Sequence, residues 1–364
     1  MNYIDSGDAS LTDMAAHASA VRASVPRHEP LVAVLRGGHL ESIHYGSIAV
    51  VDATGRLIYR AGDPEAVMFT RSTCKPLQAL PLVAAGGIEA LGLDERAIAV
   101  MCASHNGEPE HVRIVEQILA AAGCQPAQLQ CGTHIPMFYL ANGTLPPAGE
   151  VPTPLQHNCS GKHAGMLALC RLRGLDPDGY LDGAHPVQAI LREAVAAFAG
   201  VPSAEMSTGV DGCLVPNYAF PLTALARSYA RLAAGGRDPV FGDVPARIFT
   251  AMAQHPFLVS GTGRQDMAFG EAGQGAWIGK IGGEGLQALG IRGRGLGIAI
   301  KIADGDQVDQ PRATFPAALE VLRQLGVISG ALPEPLRRFT AEAEASNEAR
   351  FRARLEPVFR LAPA

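Results

Sequence analysis

The sequence of 364 residues lacks three features that would each assign it to a broad class of proteins. No apolar run approaches the length needed to span a bilayer, so we expect no membrane partner. There is no basic excess, because the formal net charge is −5, and a nucleic-acid partner is therefore not expected. The seven cysteines are odd in number and have no Cys-x-x-Cys spacing, which argues against a disulfide framework.

The composition is that of an ordinary globular protein. Hydrophobic residues make up 48% and charged residues 18%, and the length predicts one large unit or two closely joined units with α and β layers. Residues 1–28 are weakly patterned and predict an N-terminal extension, followed by a single domain over 29–364. The acidic first residues differ from the basic start of a secretory leader, so we expect a cytoplasmic location.

The hydrophobic pattern predicts a mixed α and β fold (α/β, of the α+β type). Strand-like runs open the chain and return in its last third, and we expect both groups to form one antiparallel sheet. The middle part is predicted to be mainly helical and to flank this sheet. The Arg- and Glu-rich tail is predicted to be a helical or solvated end. Helices are predicted over 75–91, 108–122, 186–198, 222–232, 244–254 and 315–325.

Ser72 and Lys75 stand three residues apart at the start of the first long apolar run. In a helix they would lie one turn apart on one face, with the hydroxyl near the positive end of the helix dipole. A neutral lysine could then take the serine proton and make a nucleophile. The alternative is an N-capping serine followed by a solvated lysine, and this pair alone favours that alternative.

Two further motifs follow in a meaningful order. Ser104 and Asn106 form a Ser-x-Asn motif on a connection, and Lys280 begins a Lys-x-Gly motif on a predicted strand. The three motifs together are similar to the layout of serine β-lactamases and penicillin-binding proteins. The order of the motifs makes acyl transfer by these residues as plausible as the alternative, in which the serines lie in turns or caps and the lysines are exposed to solvent.

A separate cluster contains Cys159, Lys162 and His163, with Cys213 some fifty residues later. Two thiolates and a nitrogen donor would suit zinc, with a fourth position left for water or substrate. Two ordinary buried cysteines beside a helix start are the alternative, which the spacing alone favours.

The motifs belong to five segments of the chain, which are Arg71–Pro76, Cys102–Glu108, Asn158–Met166, Asp211–Pro216 and Lys280–Gly285. These segments resemble the rhizobial-type, class 3 L-asparaginases, and the resemblance runs from about Leu31 to about Lys301.

The resemblance implies a serine β-lactamase-like fold, a homodimer, and hydrolysis of L-asparagine to L-aspartate and ammonia. It implies two catalytic Ser-Lys tandems, Ser72 with Lys75 and Ser104 with Lys280. It also implies a Zn²⁺ cofactor bound by Cys159, Lys162 and Cys213. Four further residues are expected to bind or orient the substrate: Arg71, Asn106, His163 and Asp211.

In the expected mechanism Lys75 is kept neutral by the neighbouring Lys280 and deprotonates Ser72, while Ser104 relays the proton to ammonia. Three alternatives stay open at this point: a penicillin-recognising serine hydrolase, a related glutaminase or amidase, and a zinc-binding protein of the same fold. The sequence does not decide between asparagine and glutamine.

Overall fold

A curved antiparallel sheet organises the molecule, and its strands come from both ends of the chain. The computed structural model describes residues 19, 21–22, 24–306, 312–337, 339 and 354–364. Within these residues the sheet has eight strands, which are β1 (Glu29–Arg36), β2 (His39–Val51), β3 (Leu57–Ala61), β7 (Trp277–Gly282), β8 (Leu286–Ile291), β9 (Leu296–Ile302), β10 (Arg354–Pro357) and β11 (Ala362–Pro363). Their order is β10-β1-β2-β9-β8-β7, with β3 beside β2 and β11 beside β3.

A second, smaller sheet has the order β4-β6-β5. Its strands are β4 (Val67–Phe69), β5 (Ser207–Val210) and β6 (Pro216–Pro221). The sequence pattern did not predict this sheet, because its strands are short and two of them flank a turn predicted only as a loop. It joins the segment before Ser72 to the segment around Asp211, which are distant in sequence.

The helices form most of the middle of the chain, as predicted. They are α1 (Lys75–Ala84), α2 (Gly87–Ala90), α3 (Glu95–Met101), α4 (Pro109–Ala121), α5 (Met137–Ala141), α6 (Ser160–Leu172), α7 (Pro186–Ala199), α8 (Leu222–Ala233), α9 (Val244–Gln254), α10 (Pro256–Val259), α11 (Gln265–Gly273), α12 (Thr314–Gln324) and α13 (Glu334–Arg337). Short 3₁₀ turns cover Arg71–Cys74, Pro126–Gln128, Pro154–Gln156 and Ser203–Glu205. The helix predicted over 75–91 is two helices, because the chain turns through left-handed Gly86 between them.

The large sheet separates two hydrophobic cores. Alternate residues of β9 point to opposite faces, so Ile298 and Ile300 join one core and Ala299 joins the other. The core containing Ala299 also contains the apolar faces of α1, α3, α4 and α6 to α9. The other core is closed by α12 and by Phe359 from the C-terminal segment.

The predicted fold class, an antiparallel sheet flanked by helices, is confirmed. The prediction for the tail was wrong for residues 354–357 and 362–363, which are strands paired with β1 and β3. Such short strands carry little local pattern, since their stability comes from pairing with distant strands. Most of the predicted N-terminal extension lies outside the described residues, so the division at residue 28 stays a prediction. No helix in the described ranges is long and apolar enough to cross a membrane.

Candidate active site

Lys75 is the first residue of α1 and lies at the centre of the candidate site. It follows directly on the 3₁₀ turn Arg71–Cys74, and Pro76 in the first helical turn needs no backbone N–H. The Lys75 amino group, only 1% exposed, is 2.9 Å from Ser104 Oγ and donates a 2.6 Å hydrogen bond to the carbonyl of Ala103. A longer contact of 3.5 Å reaches the carbonyl of Asn158. The hydrogen-bonded lysine–serine pair is therefore Lys75 with Ser104, whereas the predicted tandems were Ser72 with Lys75 and Ser104 with Lys280.

Ser72 lies on the 3₁₀ turn and is half-buried. The turn is held by a hydrogen bond of 2.5 Å from Thr73 Oγ1 to the carbonyl of Thr70, and by the Tyr229 hydroxyl, which donates to the carbonyl of Thr73 at 2.9 Å. Among the described residues the Ser72 hydroxyl has no hydrogen-bond partner. Of the two predicted serines, Ser72 is thus the more accessible, since Ser104 is 1% exposed.

Lys280 lies on β7 and is fully buried. Its amino group donates to the carbonyl of Ile281 at 2.8 Å and lies 3.2 Å from the carboxylate of Asp266. Burial is the largest influence on its pKa and lowers it. Asp266 opposes the shift, while the charges of Lys75 and Arg264 add to it, and the resulting pKa is about 8. A substantial fraction of Lys280 is therefore neutral at mildly alkaline pH, as a proton acceptor requires.

The Ser-x-Asn motif forms an extended connection between α3 and α4. Its backbone is fixed by hydrogen bonds from Ser104 N to Val259 O at 3.1 Å and from Asn106 N to Ser260 O at 2.8 Å. The Asn106 side chain is fully buried, and its amide donates to Thr262 O at 2.8 Å and to Glu108 Oε1 at 3.0 Å. These contacts brace the connection that carries Ser104, and the predicted contact of Asn106 with substrate stays a prediction.

The predicted zinc ligands are brought together by α6 and the turn after β5. Cys159 precedes α6, Lys162 lies in its first turn, and Cys213 follows β5; all three are at most 5% exposed. The Lys162 amino group lies 2.8 Å from Cys213 Sγ. Two thiols and an amine are a donor set suited to zinc. The described residues contain no group of three or more His, Cys, Asp or Glu side chains placed to hold a metal, so a metal at this cluster would need the lysine as its third donor.

The ionisation of this cluster is strongly coupled. A hydrogen bond from the Cys213 thiol is the main reason that the pKa of Cys159 lies well below its usual range, and it outweighs the effect of burial. The same bond, together with burial, raises the pKa of Cys213. Burial alone would lower the pKa of Lys162, but the two sulfur atoms and Asp211 raise it above the ordinary lysine value. A metal would therefore displace protons from Lys162 and from Cys213 on binding.

Arg71 and Asp211 form an ion pair beside Ser72. The distance from Arg71 Nε to Asp211 Oδ1 is 2.7 Å, and the side chains are 28% and 10% exposed. The other oxygen of Asp211 lies 4.0 Å from Cys213 Sγ, and Glu284 lies 3.7 Å from the Arg71 guanidinium. The pair offers one cationic and one anionic group at the accessible side of the site.

His163, which was predicted to contact ligands or substrate, is fully buried. Its Nδ1 lies 2.7 Å from the Tyr180 hydroxyl, which accepts a hydrogen bond from the backbone N–H of Gln130. The Tyr180 hydroxyl can then donate a hydrogen bond to Nδ1, and in that tautomer the ring proton of His163 is on Nε2. Burial, followed by the charge of Lys162, holds the pKa of His163 well below its usual range. His163 is thus a buried, neutral side chain that contacts Tyr180.

The family model of L-asparaginase II matches residues 32–353. The chain belongs to the L-asparaginase II family. This confirms the predicted family relationship, and the matched range contains every residue of the candidate site.

Two solved structures are similar to this L-asparaginase II family member. One is the native form of Mglu, with 16% identity over 78% of this chain and a TM-score of 0.45, and the chain spans 65% of the length of Mglu. The other is a β-lactamase from Mycobacterium bovis, with 15% identity, a TM-score of 0.42, and 77% of this chain and 94% of that chain covered. No curated protein sequence matches the chain.

Sequence reasoning missed two charged residues of this family member's site, Arg264 and Asp266. Both are 3% exposed and lie at the start of α11. Arg264 Nη1 is 3.5 Å from Asn106 Oδ1, and Asp266 contacts Lys280. A signal was present, because a polar, glycine-containing stretch over 260–266 directly follows the apolar residues 257–259.

Proposed function

We propose that the protein is an L-asparaginase, an amidohydrolase that converts L-asparagine to L-aspartate and ammonia through a serine acyl-enzyme. Membership of the L-asparaginase II family supports an amidohydrolase. The observation that carries the serine mechanism is the buried hydrogen bond of 2.9 Å between Lys75 Nζ and Ser104 Oγ, one turn of chain from the accessible Ser72. Such a pair can accept and return a proton next to a nucleophile.

In the proposed reaction the half-buried Ser72 Oγ attacks the side-chain carbonyl carbon of asparagine. The Ser72 proton passes to the amine of Lys75 or Lys280, the carbon–nitrogen bond breaks, and the nitrogen leaves as ammonia with a proton relayed through Ser104. Water then adds to the serine ester, which regenerates the Ser72 hydroxyl and releases aspartate. Lys280 is suited to hold a transferred proton because its pKa, at about 8, is close to working pH.

The substrate is a zwitterion, which the accessible ion pair can accommodate. Arg71 would receive the α-carboxylate, and Asp211 would receive the α-ammonium group. Both partners already form a charged contact of 2.7 Å, so a zwitterion can replace that contact without leaving either charge unpaired. Asn106 and His163 would support the site: Asn106 would help to hold Ser104 in place, and His163 would help to hold Lys162.

Zinc remains part of the proposal. Cys159, Lys162 and Cys213 would hold the ion, and the contact from Asp211 to Cys213 would link it to the Arg71 ion pair. When bound, zinc would neutralise the thiolates and orient groups at the substrate end of the site. The predicted homodimer and the cytoplasmic location also stay predictions, and light scattering on the purified protein would test the first.

The first prediction concerns the nucleophile. Ser72→Ala should lower kcat for ammonia release from L-asparagine by several orders of magnitude while the protein stays folded, because it removes the oxygen that attacks the amide in the proposed reaction. Rates on L-asparagine, L-glutamine and a β-lactam identify the substrate class. Ser228→Ala is a matched control, since the buried Ser228 hydroxyl donates to the carbonyl of Ala224 within its own helix, α8. Retention of more than about a tenth of wild-type kcat in Ser72→Ala would move the nucleophile to Ser104.

The second prediction concerns metal content. The purified wild-type protein should bind one zinc ion per chain, measured by elemental analysis after dialysis against zinc. Cys159→Ser combined with Cys213→Ser should lose it, because two of three protein donors are weakened. Cys170→Ala, at another buried thiol, should keep the metal. A zinc-free wild-type protein with unchanged kcat and KM would contradict a functional metal site.

A further inference from the structure

Asp266 forms a buried junction between α11 and the strand that carries Lys280. It accepts a hydrogen bond from Ile281 N at 2.8 Å and a weaker one from Gln287 Nε2 at 3.3 Å, in addition to the Lys280 contact at 3.2 Å. The side chains of Lys280 and Asp266 are 0% and 1% exposed. A carboxylate that is desolvated to this degree is costly unless all its contacts are kept, so its geometry is tightly determined.

The titratable and charged groups around Lys280 and its partner Asp266 come from four elements. Lys75 at the start of α1 and Arg264 before α11 are cationic neighbours, and Asp266 is the anionic one. Cys102, which follows α3, has its pKa raised to about 12 by burial, and burial raises the pKa of Tyr229 on α8 well above its usual range. Both are therefore uncharged near pH 8, and Asp266 alone among these neighbours balances the positive charge.

The segment of residues 260–266 connects two of the three motifs. Its first carbonyl, of Ser260, accepts a hydrogen bond from Asn106 N, and the carbonyl of Val259 just before it accepts one from Ser104 N. Its last residue, Asp266, contacts Lys280. At Gly261 the backbone has φ +125° and approaches the Asn106 side chain so closely that a Cβ would overlap it. The segment thus sets the position of the Ser-x-Asn motif relative to the Lys-x-Gly motif.

We propose that Asp266 is a positioning residue of the amidohydrolase site, which holds the Lys280 amino group in place and sets the pH range in which that amine can accept a proton. This inference rests on the proposed function for its catalytic consequence. Asp266 does not contact substrate in this scheme and acts only through Lys280.

The test is Asp266→Asn, which keeps the size and one acceptor oxygen but removes the charge. Without the carboxylate the ammonium form of Lys280 loses its stabilisation, so the pKa of Lys280 should fall, by on the order of one unit or more. The acid limb of kcat/KM should move to lower pH by the same amount. The value of kcat should fall more than KM changes, because an orienting contact has been removed rather than a substrate contact.

A direct titration separates this inference from the proposed function. The chain contains four lysines, so ¹³Cε-lysine labelling should give four NMR signals, and Lys280→Met assigns the signal of Lys280. The wild-type signal should titrate near pH 8, and the signal in Asp266→Asn should titrate lower. If the wild-type protein has no amidase activity but this shift is found, the proposed function fails while the Asp266–Lys280 coupling stands.

Asp238→Asn is the matched control, because Asp238 also forms a largely buried ion pair, with Arg231, and has no contact with the site residues. It should lower thermal stability without moving the Lys280 titration or the acid limb. A Lys280 titration that stays unchanged or rises in Asp266→Asn would overturn the inference. So would a titration that moves while the acid limb stays still.

Discussion

At the scale of single residues, the lysines are the most informative feature of this protein. Three of its four lysines, Lys75, Lys162 and Lys280, are between 0% and 5% exposed. Each has a different side-chain partner: a hydroxyl for Lys75, a thiol for Lys162 and a carboxylate for Lys280. The surroundings raise the pKa of Lys162 and lower that of Lys280. The environment therefore favours the charged form of Lys162 and the neutral form of Lys280 within one site.

The third prediction follows from Lys280 and needs no substrate. The pKa of Lys280 is about 8 in the folded protein and 10.5 as an ordinary lysine, so the unfolded chain binds more protons between these pH values. The free energy of unfolding should therefore rise between pH 8 and 10.5, by roughly 3 kcal/mol. Below pH 8 the folded protein carries the full cost of burying Lys280 as an ammonium ion.

The reference for this measurement is the double variant Lys280→Met with Asp266→Asn, in which neither partner carries a charge. Urea unfolding of both proteins from pH 7 to 10.5 gives the difference in the free energy of unfolding. A difference that stays constant across this range would show that Lys280 is not destabilised as an ammonium ion.

At the scale of elements, the site depends on how closely α6 packs against α3. Gly161, in the first turn of α6, lies against Val100 of α3, and a Cβ at Gly161 would overlap the Val100 carbonyl oxygen. The neighbouring Lys162 belongs to the thiol cluster, and α3 leads to Ser104. The glycine thus lets two helices that carry site residues approach each other.

The fourth prediction is that Gly161→Ala destabilises the protein by about 1–3 kcal/mol, although alanine favours helices. The clash is with backbone, which cannot move away as a side chain could. Gly236→Ala is the control, because nothing lies within 4 Å of a Cβ at that position, and it should stay within about 0.5 kcal/mol of the wild type. Equal free energies of unfolding for both variants would exclude a close α3–α6 contact.

At the scale of the whole molecule, the two ends of the described chain close one sheet. β10 pairs with β1 in register Val34 to Leu355, and β11 pairs with β3. Between these strands Phe359 is 5% exposed and belongs to the same core as Leu31 and Phe315. The C-terminal segment therefore covers one face of the central sheet.

The fifth prediction compares two neighbouring residues of that segment. Phe359→Ala should lower the free energy of unfolding by about 3–5 kcal/mol, because it leaves a cavity in this core. Val358→Ala should have an effect within about 0.5 kcal/mol, since Val358 is 49% exposed. Chemical denaturation of both variants measures this difference, and similar losses would mean that Phe359 does not close the core.

The sequence by itself determined most of the long helices and the motifs that contain the candidate catalytic residues. The helices predicted over 108–122, 186–198 and 244–254 are α4, α7 and α9, since helical periodicity is a local property. The family motifs likewise contain Ser72, Lys75, Ser104 and Lys280, because each motif is contiguous in the chain.

Only the tertiary structure decided which of these groups meet. Segments that are distant in sequence or belong to different elements meet in three places. These are the contact of Lys75 with Ser104, the pairing of Lys280 with Asp266 and the pairing of the strand at 354–357 with β1. A buried lysine takes the acceptor that packing brings within about 3 Å, and a short strand forms only where a partner strand is exposed. The local pattern of residues predicts neither the acceptor of a buried lysine nor the partner of a short strand, because both depend on how the helices and the sheet pack together.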